Sequence, residues 1–143
     1  MSAKFFLDTN IVVYTFDPES PQKKRRAQEL VEQALRTHEG VVSTQVVQNF
    51  LNVATVKFTA PLTFSDAQRY LHDVLAPLCT VFPSIDLFQQ ALVLQQETTY
   101  SFYDSLIIGG ALQAGCEILY SEDLQDGHQI RALRIVNPFT SSS

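Results

Sequence analysis

Three carboxylates and one carboxamide stand in short, distinctive contexts: Asp8 in Phe5-Phe6-Leu7-Asp8-Thr9-Asn10, Asn49 in Ser43-Thr44-Gln45-Val46-Val47-Gln48-Asn49-Phe50, Asp104 in Ser101-Phe102-Tyr103-Asp104-Ser105, and Asp123 in Ser121-Glu122-Asp123-Leu124. Carboxylates gathered at one place repel one another unless a positive charge sits between them, and a divalent metal is the usual solution. Hard ions such as Mg²⁺ or Mn²⁺ prefer carboxylate oxygens and keep bound water, which they activate for hydrolysis. Histidine is not needed for such chemistry. None of the three histidines lies in a strong motif, and His128 reads as a solvated turn residue near the loop that carries Asp123.

The elements around these residues say whether they can meet. Lys4-Phe5-Phe6-Leu7 reads as a buried strand running into a turn at Asp-Thr-Asn. A helix is expected from Gln22 to Glu39 on the spacing of Ala27, Leu30, Val31, Ala34 and Leu35, with Gly40 stopping it. Val41-Val42 is a minimal strand, and Ser43 or Thr44 caps a helix through about Lys57. Pro61 breaks the chain before Thr63-Phe64-Ser65-Asp66, a capping box opening a helix to about Ala76. Cys79 to Phe82 is a third strand. Ser84 to about Tyr100 is helical on Leu87, Phe88, Ala91, Leu92, Leu94 and Gln95. Ser101 caps a helix to Gly115, Glu117 to Tyr120 is a strand, Ser121 to His128 a polar loop, and Leu133 to Val136 the last strand.

Alternating strands and helices imply an α/β fold with a central, mostly parallel sheet and helices on both faces. Such sheets bind ligands beyond the carboxyl ends of their strands. Asp8 and Asp123 each follow a strand directly. Asp104 opens the helix entering the Ile118 strand, and Asn49 lies in the early turns of the helix leaving the Val41 strand. Topology therefore brings all four to one edge.

Composition bounds the alternatives. A chain of 143 residues with 45% hydrophobic and 17% charged residues is most simply one globular domain spanning 1–143, with 138–143 as a C-terminal tail. No apolar run approaches a membrane span, and Asp8 interrupts the N-terminal apolar run too early for a signal peptide. Cys79 and Cys116 form no metal or disulfide motif, so a reducing cytoplasm is the plain expectation. A net charge of −5 excludes a generally basic surface, though not a local basic patch for nucleic acid.

Each position also has a plainer explanation. Ser101-x-x-Asp104 is a capping box in form, Asp8 could cap the turn at Asn10, and Ser121-Glu122-Asp123 could be a solvated loop. Independent caps need not land at one edge, which favours the metal. Lys23-Lys24-Arg25-Arg26 could touch phosphates but reads first as a solvated helix face. Gly109-Gly110 lacks the Lys-Ser/Thr of a phosphate loop and reads as a close-packing site. Asp123-x-x-Asp126-Gly127 lacks the alternating acids of a calcium loop. Tyr14, Phe16 and Tyr103 could stack on bases, with core packing as the default, and ten phenylalanines leave some surplus for an interface.

In the order and spacing of these segments, from Phe5 to about Pro138, the chain resembles PIN-domain proteins, most closely the VapC-type ribonuclease toxins of bacterial toxin–antitoxin pairs. The resemblance implies a PIN-like three-layer sandwich and a metal-dependent endoribonuclease. It implies that Asp8, Asp104 and Asp123 hold Mg²⁺ or Mn²⁺, with Thr9, Asn10, Ser121 and Glu122 in support. RNA would be the substrate, a cognate antitoxin and a second copy of the chain the protein partners. The departure is Asn49, where the family normally carries glutamate; a carboxamide offers an oxygen but neither charge nor basicity. Glu122 or Asp126 are the nearby acids that could supply that charge. Two functions follow: a working or weakened ribonuclease toxin, or a catalytically silent PIN domain that binds RNA or antitoxin. A phosphatase of related architecture is disfavoured, because Asp8 is followed by Thr9 and Asn10 rather than by a second aspartate two residues on.

Overall fold

The computed structural model describes residues 3–140. Six strands form one sheet in the order β3-β2-β1-β4-β6-β5, where β1 is Phe5–Leu7, β2 Gly40–Ser43, β3 Cys79–Val81, β4 Ile118–Tyr120, β5 Gln129–Ile130 and β6 Leu133–Val136. Every pairing is parallel except β5 with β6. From β1 the chain winds outward through β2 and β3 on one side, then returns to place β4 on the other. The switch of direction thus falls between β1 and β4, where open parallel sheets characteristically form a crevice. Phe5, Phe6 and Leu7 are all buried, as a strand covered on both faces requires.

The helices are α1 (Thr9–Tyr14), α2 (Pro21–Thr37), α3 (Thr44–Asn52), α4 (Phe64–Tyr70), α5 (Ala76–Leu78), α6 (Ile85–Glu97) and α7 (Phe102–Gln113). They lie on both faces of the sheet, the expected three-layer α/β arrangement. Widened turns at Val53–Lys57 and Leu71–Leu75 extend α3 and join α4 to α5, closing with bonds such as Phe58 N–H to the Val53 carbonyl. The helical spans expected to reach about Lys57 and Ala76 are therefore present but interrupted.

Two local expectations need correction. The residues after Asp8 form α1 rather than a bare turn. Ile11, Val12 and Val13 are β-branched and poor helix formers, but burial of Ile11 and Val12 outweighs that preference. Gly40 does not stop α2: His38, in the left-handed region at φ 61°, is the C-cap. Gly40 instead opens β2, where a Cβ would lie 2.1 Å from that of Ala34. Between the polar loop expected over Ser121 to His128 and β6 lies β5, a two-residue strand turned back by Arg131 at φ 54° without any glycine to announce it. The helix expected from Ser84 is present as α6, which buries Leu87, Ala91 and Leu94 and leaves Phe88 and Leu92 38% and 53% exposed.

Gly109 and Gly110 do serve close packing. A Cβ on Gly109 would touch Leu87 and Leu94 of α6, and one on Gly110 would meet Val81 and Phe6 of the sheet. The segment expected as a tail is partly docked, because the Phe139 ring packs edge-on against Tyr14 with centroids 5.0 Å apart. Among the described residues no helix is long and apolar enough to cross a membrane.

Candidate active site

The crevice is built by two strands that end side by side. Leu7 pairs with Tyr120, and the Asp8 N–H donates to the Tyr120 carbonyl at 3.0 Å, so the residues after β1 and β4 leave the sheet together. Asp8 is the N-cap of α1, one carboxylate oxygen accepting from the Thr9 N–H at 2.7 Å. Its other oxygen accepts from the Ser121 hydroxyl at 2.8 Å. That hydroxyl in turn accepts from the N–H groups of Asp123 and Leu124 at 3.2 and 3.3 Å. One donor and two acceptor sites exhaust its capacity, which explains why Ser121 is fully buried.

Asn10 makes the second link across the crevice. Its Oδ1 accepts from the Glu122 N–H, and its Nδ2 donates to the Asp123 carboxylate, each at 3.1 Å. Asp104 sits in the first turn of α7, half-buried, where the Ser101 hydroxyl caps its N–H. The Gln45 amide of α3 donates to the Tyr103 carbonyl at 3.2 Å and ties the two helix starts to each other.

Burial governs the electrostatics of Asp8. Desolvation, opposed by the Ser121 and Thr9 bonds and aided by the charges of Asp123 and Asp104, pushes its carboxyl up to about 6. Asp104 and Asp123 are thus both within electrostatic reach of Asp8. Thr9 Oγ1 and Ser105 Oγ, each adjacent in sequence to one of these acids, are buried without a hydrogen-bond partner. Buried polar atoms left in this state call for an unseen water or ion. Among the described residues no three His, Cys, Asp or Glu side chains form a ready cage. Mg²⁺ is commonly held by only one or two carboxylates, with water and substrate phosphate in its remaining positions, so such a cage is not required for it. The carboxylates of Asp8, Asp104 and Asp123 are the donor type that a hard divalent ion takes.

Asn49 is exposed on α3, and no described residue bonds its side chain. Glu122 contributes its backbone N–H to the crevice, but its carboxylate accepts from the Tyr14 hydroxyl at 2.6 Å and pairs with the Lys23 ammonium. Burial raises the Glu122 carboxyl, yet the bonds from Lys23 and Tyr14 together outweigh it and hold the group below the usual carboxylate range. The Glu122 bond raises both Lys23 and Tyr14 in return. Asp126 accepts from the Asn137 N–H at 2.8 Å and braces the loop. Glu122 is thus engaged by Lys23 and Tyr14, and one oxygen of Asp126 by Asn137.

His128 is half-buried rather than solvated, with its Nδ1 3.0 Å from the Tyr100 hydroxyl. Sequence reasoning did not place Lys23, Tyr14 or Phe139 at this edge. Lys23 is 99 residues from Glu122, so no local pattern could have announced the pair.

The PIN-domain sequence profile matches residues 5–128. No curated protein matches the chain. Among solved structures, a toxin–antitoxin complex from Klebsiella pneumoniae superposes with TM-score 0.67 at 21% identity, covering 96% of this chain and 98% of that one. FitAcB from Neisseria gonorrhoeae gives TM-score 0.62 at 16% identity, covering 94% and 98%. The sarcin-ricin-loop-cleaving toxin VapC20 of Mycobacterium tuberculosis gives TM-score 0.54 at 19% identity, covering 83% and 89%. At these identities the structural likeness is one of fold.

Proposed function

The chain belongs to the PIN-domain family, and we propose that it is a metal-dependent endoribonuclease, the toxin of a toxin–antitoxin pair acting in the cytoplasm. The observation that supports this most is the carboxyl of Asp8, buried at the switch point of the sheet and raised to about 6 with Asp104 and Asp123 acting on it. Acids are seldom assembled in this way for stability, because each penalises the ionisation of the others. Asp8, Asp104 and Asp123 would hold Mg²⁺ or Mn²⁺, which when bound polarises a phosphodiester and activates water. Ser121 fixes the Asp8 carboxylate through its hydroxyl, and Asn10 fixes Asp123. Thr9, beside Asp8, offers an unpartnered hydroxyl to water or phosphate.

Two solved neighbours, the Klebsiella complex and the VapC20 toxin, are toxin–antitoxin proteins or RNA-cleaving toxins by description, which supports RNA as substrate and an antitoxin as partner. Ile85, Phe88 and Leu92 form an exposed apolar stripe along α6, with exposed Phe82 beside its start in sequence. Uncovered apolar surface of this kind favours a protein contact, read here as a second copy of the chain.

The decisive experiment is cleavage of a mixed structured RNA pool by the parent chain and by Asp8→Asn, with Mn²⁺ and with EDTA. Metal-dependent cleavage by the parent, lost in Asp8→Asn, is the expected result; equal cleavage by both proteins, or cleavage in EDTA, rules the reading out. A second reading, a silent PIN domain that binds RNA or antitoxin, is favoured by one observation: Asn49 brings no charge, while Glu122 and Asp126 are engaged elsewhere.

A further inference from the structure

Lys23, Tyr14 and Glu122 form a compact polar cluster just outside the crevice. Tyr14 is the last residue of α1, Lys23 lies in the first turn of α2, and Glu122 lies in the loop after β4. The Glu122 carboxylate accepts from both the Tyr14 hydroxyl and the Lys23 ammonium. The same ammonium lies 4.9 Å from the centroid of the Tyr14 ring and 5.7 Å from that of Phe139, so the C-terminal segment closes the cluster from above. Lys23 and Glu122 side chains are 38% and 22% exposed, and an ion pair so placed contributes little to stability. The pair therefore calls for an account other than folding energy.

Its connection to the crevice supplies one. Glu122 directs its backbone N–H to Asn10 Oδ1. With that oxygen taken, the Asn10 Nδ2 must face the other way, where it donates to the Asp123 carboxylate. An amide presents distinct donor and acceptor ends, so fixing one end fixes the other. We propose that Lys23 and Tyr14, by holding the Glu122 side chain, act as positioning residues that set the Asn10 amide and through it orient the Asp123 carboxylate toward Asp8. The importance of Asp123 in catalysis rests on the nuclease reading; the orientation itself does not. The first residue of the basic run thus has an internal role, in place of the solvated face expected of it.

The test separates the two dependencies. In the metal-free chain, nuclear magnetic resonance of the Asn10 side-chain amide reads the bond to Asp123 directly. The parent should show two well-separated, slowly exchanging amide protons. Lys23→Met, Glu122→Ala and Tyr14→Phe should each move them toward free-amide values, and Lys23→Glu combined with Glu122→Lys should restore them. The melting temperature should stay within about 2 °C of the parent in the Lys23 and Glu122 variants, as expected for an exposed pair. Mn²⁺ affinity, followed by melting, should fall by about tenfold in the single variants and recover in the exchanged pair, the usual scale for outer residues that orient a ligand. Unchanged Asn10 amide protons in Glu122→Ala, or no recovery in the exchanged pair, overturn the proposal. If the amide responds as stated but the parent binds no Mn²⁺, the positioning role stands and the metal reading falls.

Discussion

The Ser121 hydroxyl donates to the Asp8 carboxylate at 2.8 Å while accepting the N–H of Asp123, so one side chain binds two of the candidate acids into a single unit. Ser121 lies 113 positions from Asp8, yet the two are neighbours because β1 and β4 run parallel in register. The bond lowers the Asp8 carboxyl, but burial prevails and the group stays protonated well above the range of a free aspartate.

That balance makes a prediction for stability. Asp8 holds its proton more tightly in the folded chain, at about 6, than at the ordinary 3.8. Its contribution to folding is therefore fully present below about pH 3.8 and is lost as pH rises through about 6. The change corresponds to roughly 3 kcal/mol at most. Without metal, Asp8→Asn should stabilise the chain at pH 7 by about 1–2 kcal/mol, the loss of ideal bonding to Ser121 offsetting part of the gain. Urea unfolding at pH 4 and pH 7 checks this; a variant less stable than the parent at pH 7 would falsify the buried-charge account.

The same proton competes with a metal. A divalent ion needs the ionised carboxylate, so Mn²⁺ affinity should fall by up to about tenfold for each pH unit below about 6. Calorimetric titration at pH 5, 6 and 7.5 reads the slope. A flat profile over that range removes Asp8 from the ligand set.

The nuclease reading makes a prediction at Asn49. In that reading Asn49→Glu restores the acid that PIN-domain proteins normally carry there, and it should raise RNA cleavage by about one to two orders of magnitude, comparable to a positioned acid or base. Because Asn49 is exposed and unbonded, the change should leave the melting temperature nearly unaltered. Equal cleavage rates for parent and variant would show that position 49 takes no part.

The apolar stripe of α6 makes a prediction about assembly. Ile85 is 80% exposed and Phe88 38%, so replacing both with glutamate removes apolar surface without opening the core. Sedimentation should show a dimer for the parent and a monomer for the variant, with circular dichroism unchanged. A monomeric parent at all accessible concentrations rejects the dimer.

Several features were legible in residue order alone. Ser101, and Ser43 as one of two candidate caps beside Thr44, announce their helices, because a hydroxyl accepting an N–H three residues on is a local device. Buried apolar runs ending in Asp8 and in Ser121-Glu122-Asp123 identify strands whose carboxyl ends carry acids, and parallel topology then sends those ends to one edge. These are short-range patterns, and short-range patterns survive in sequence. The chain did not reveal in advance that Ile11-Val12 would be helical, that Gly40 would be spared a side chain by Ala34, or that Glu122 would turn from the crevice to Lys23 and Tyr14. Each depends on what packs opposite, and partners up to 113 residues away are chosen by burial and charge only once the sheet has closed. Residue type set which groups could bind a cation; the register of β1 against β4 decided which of them face one another.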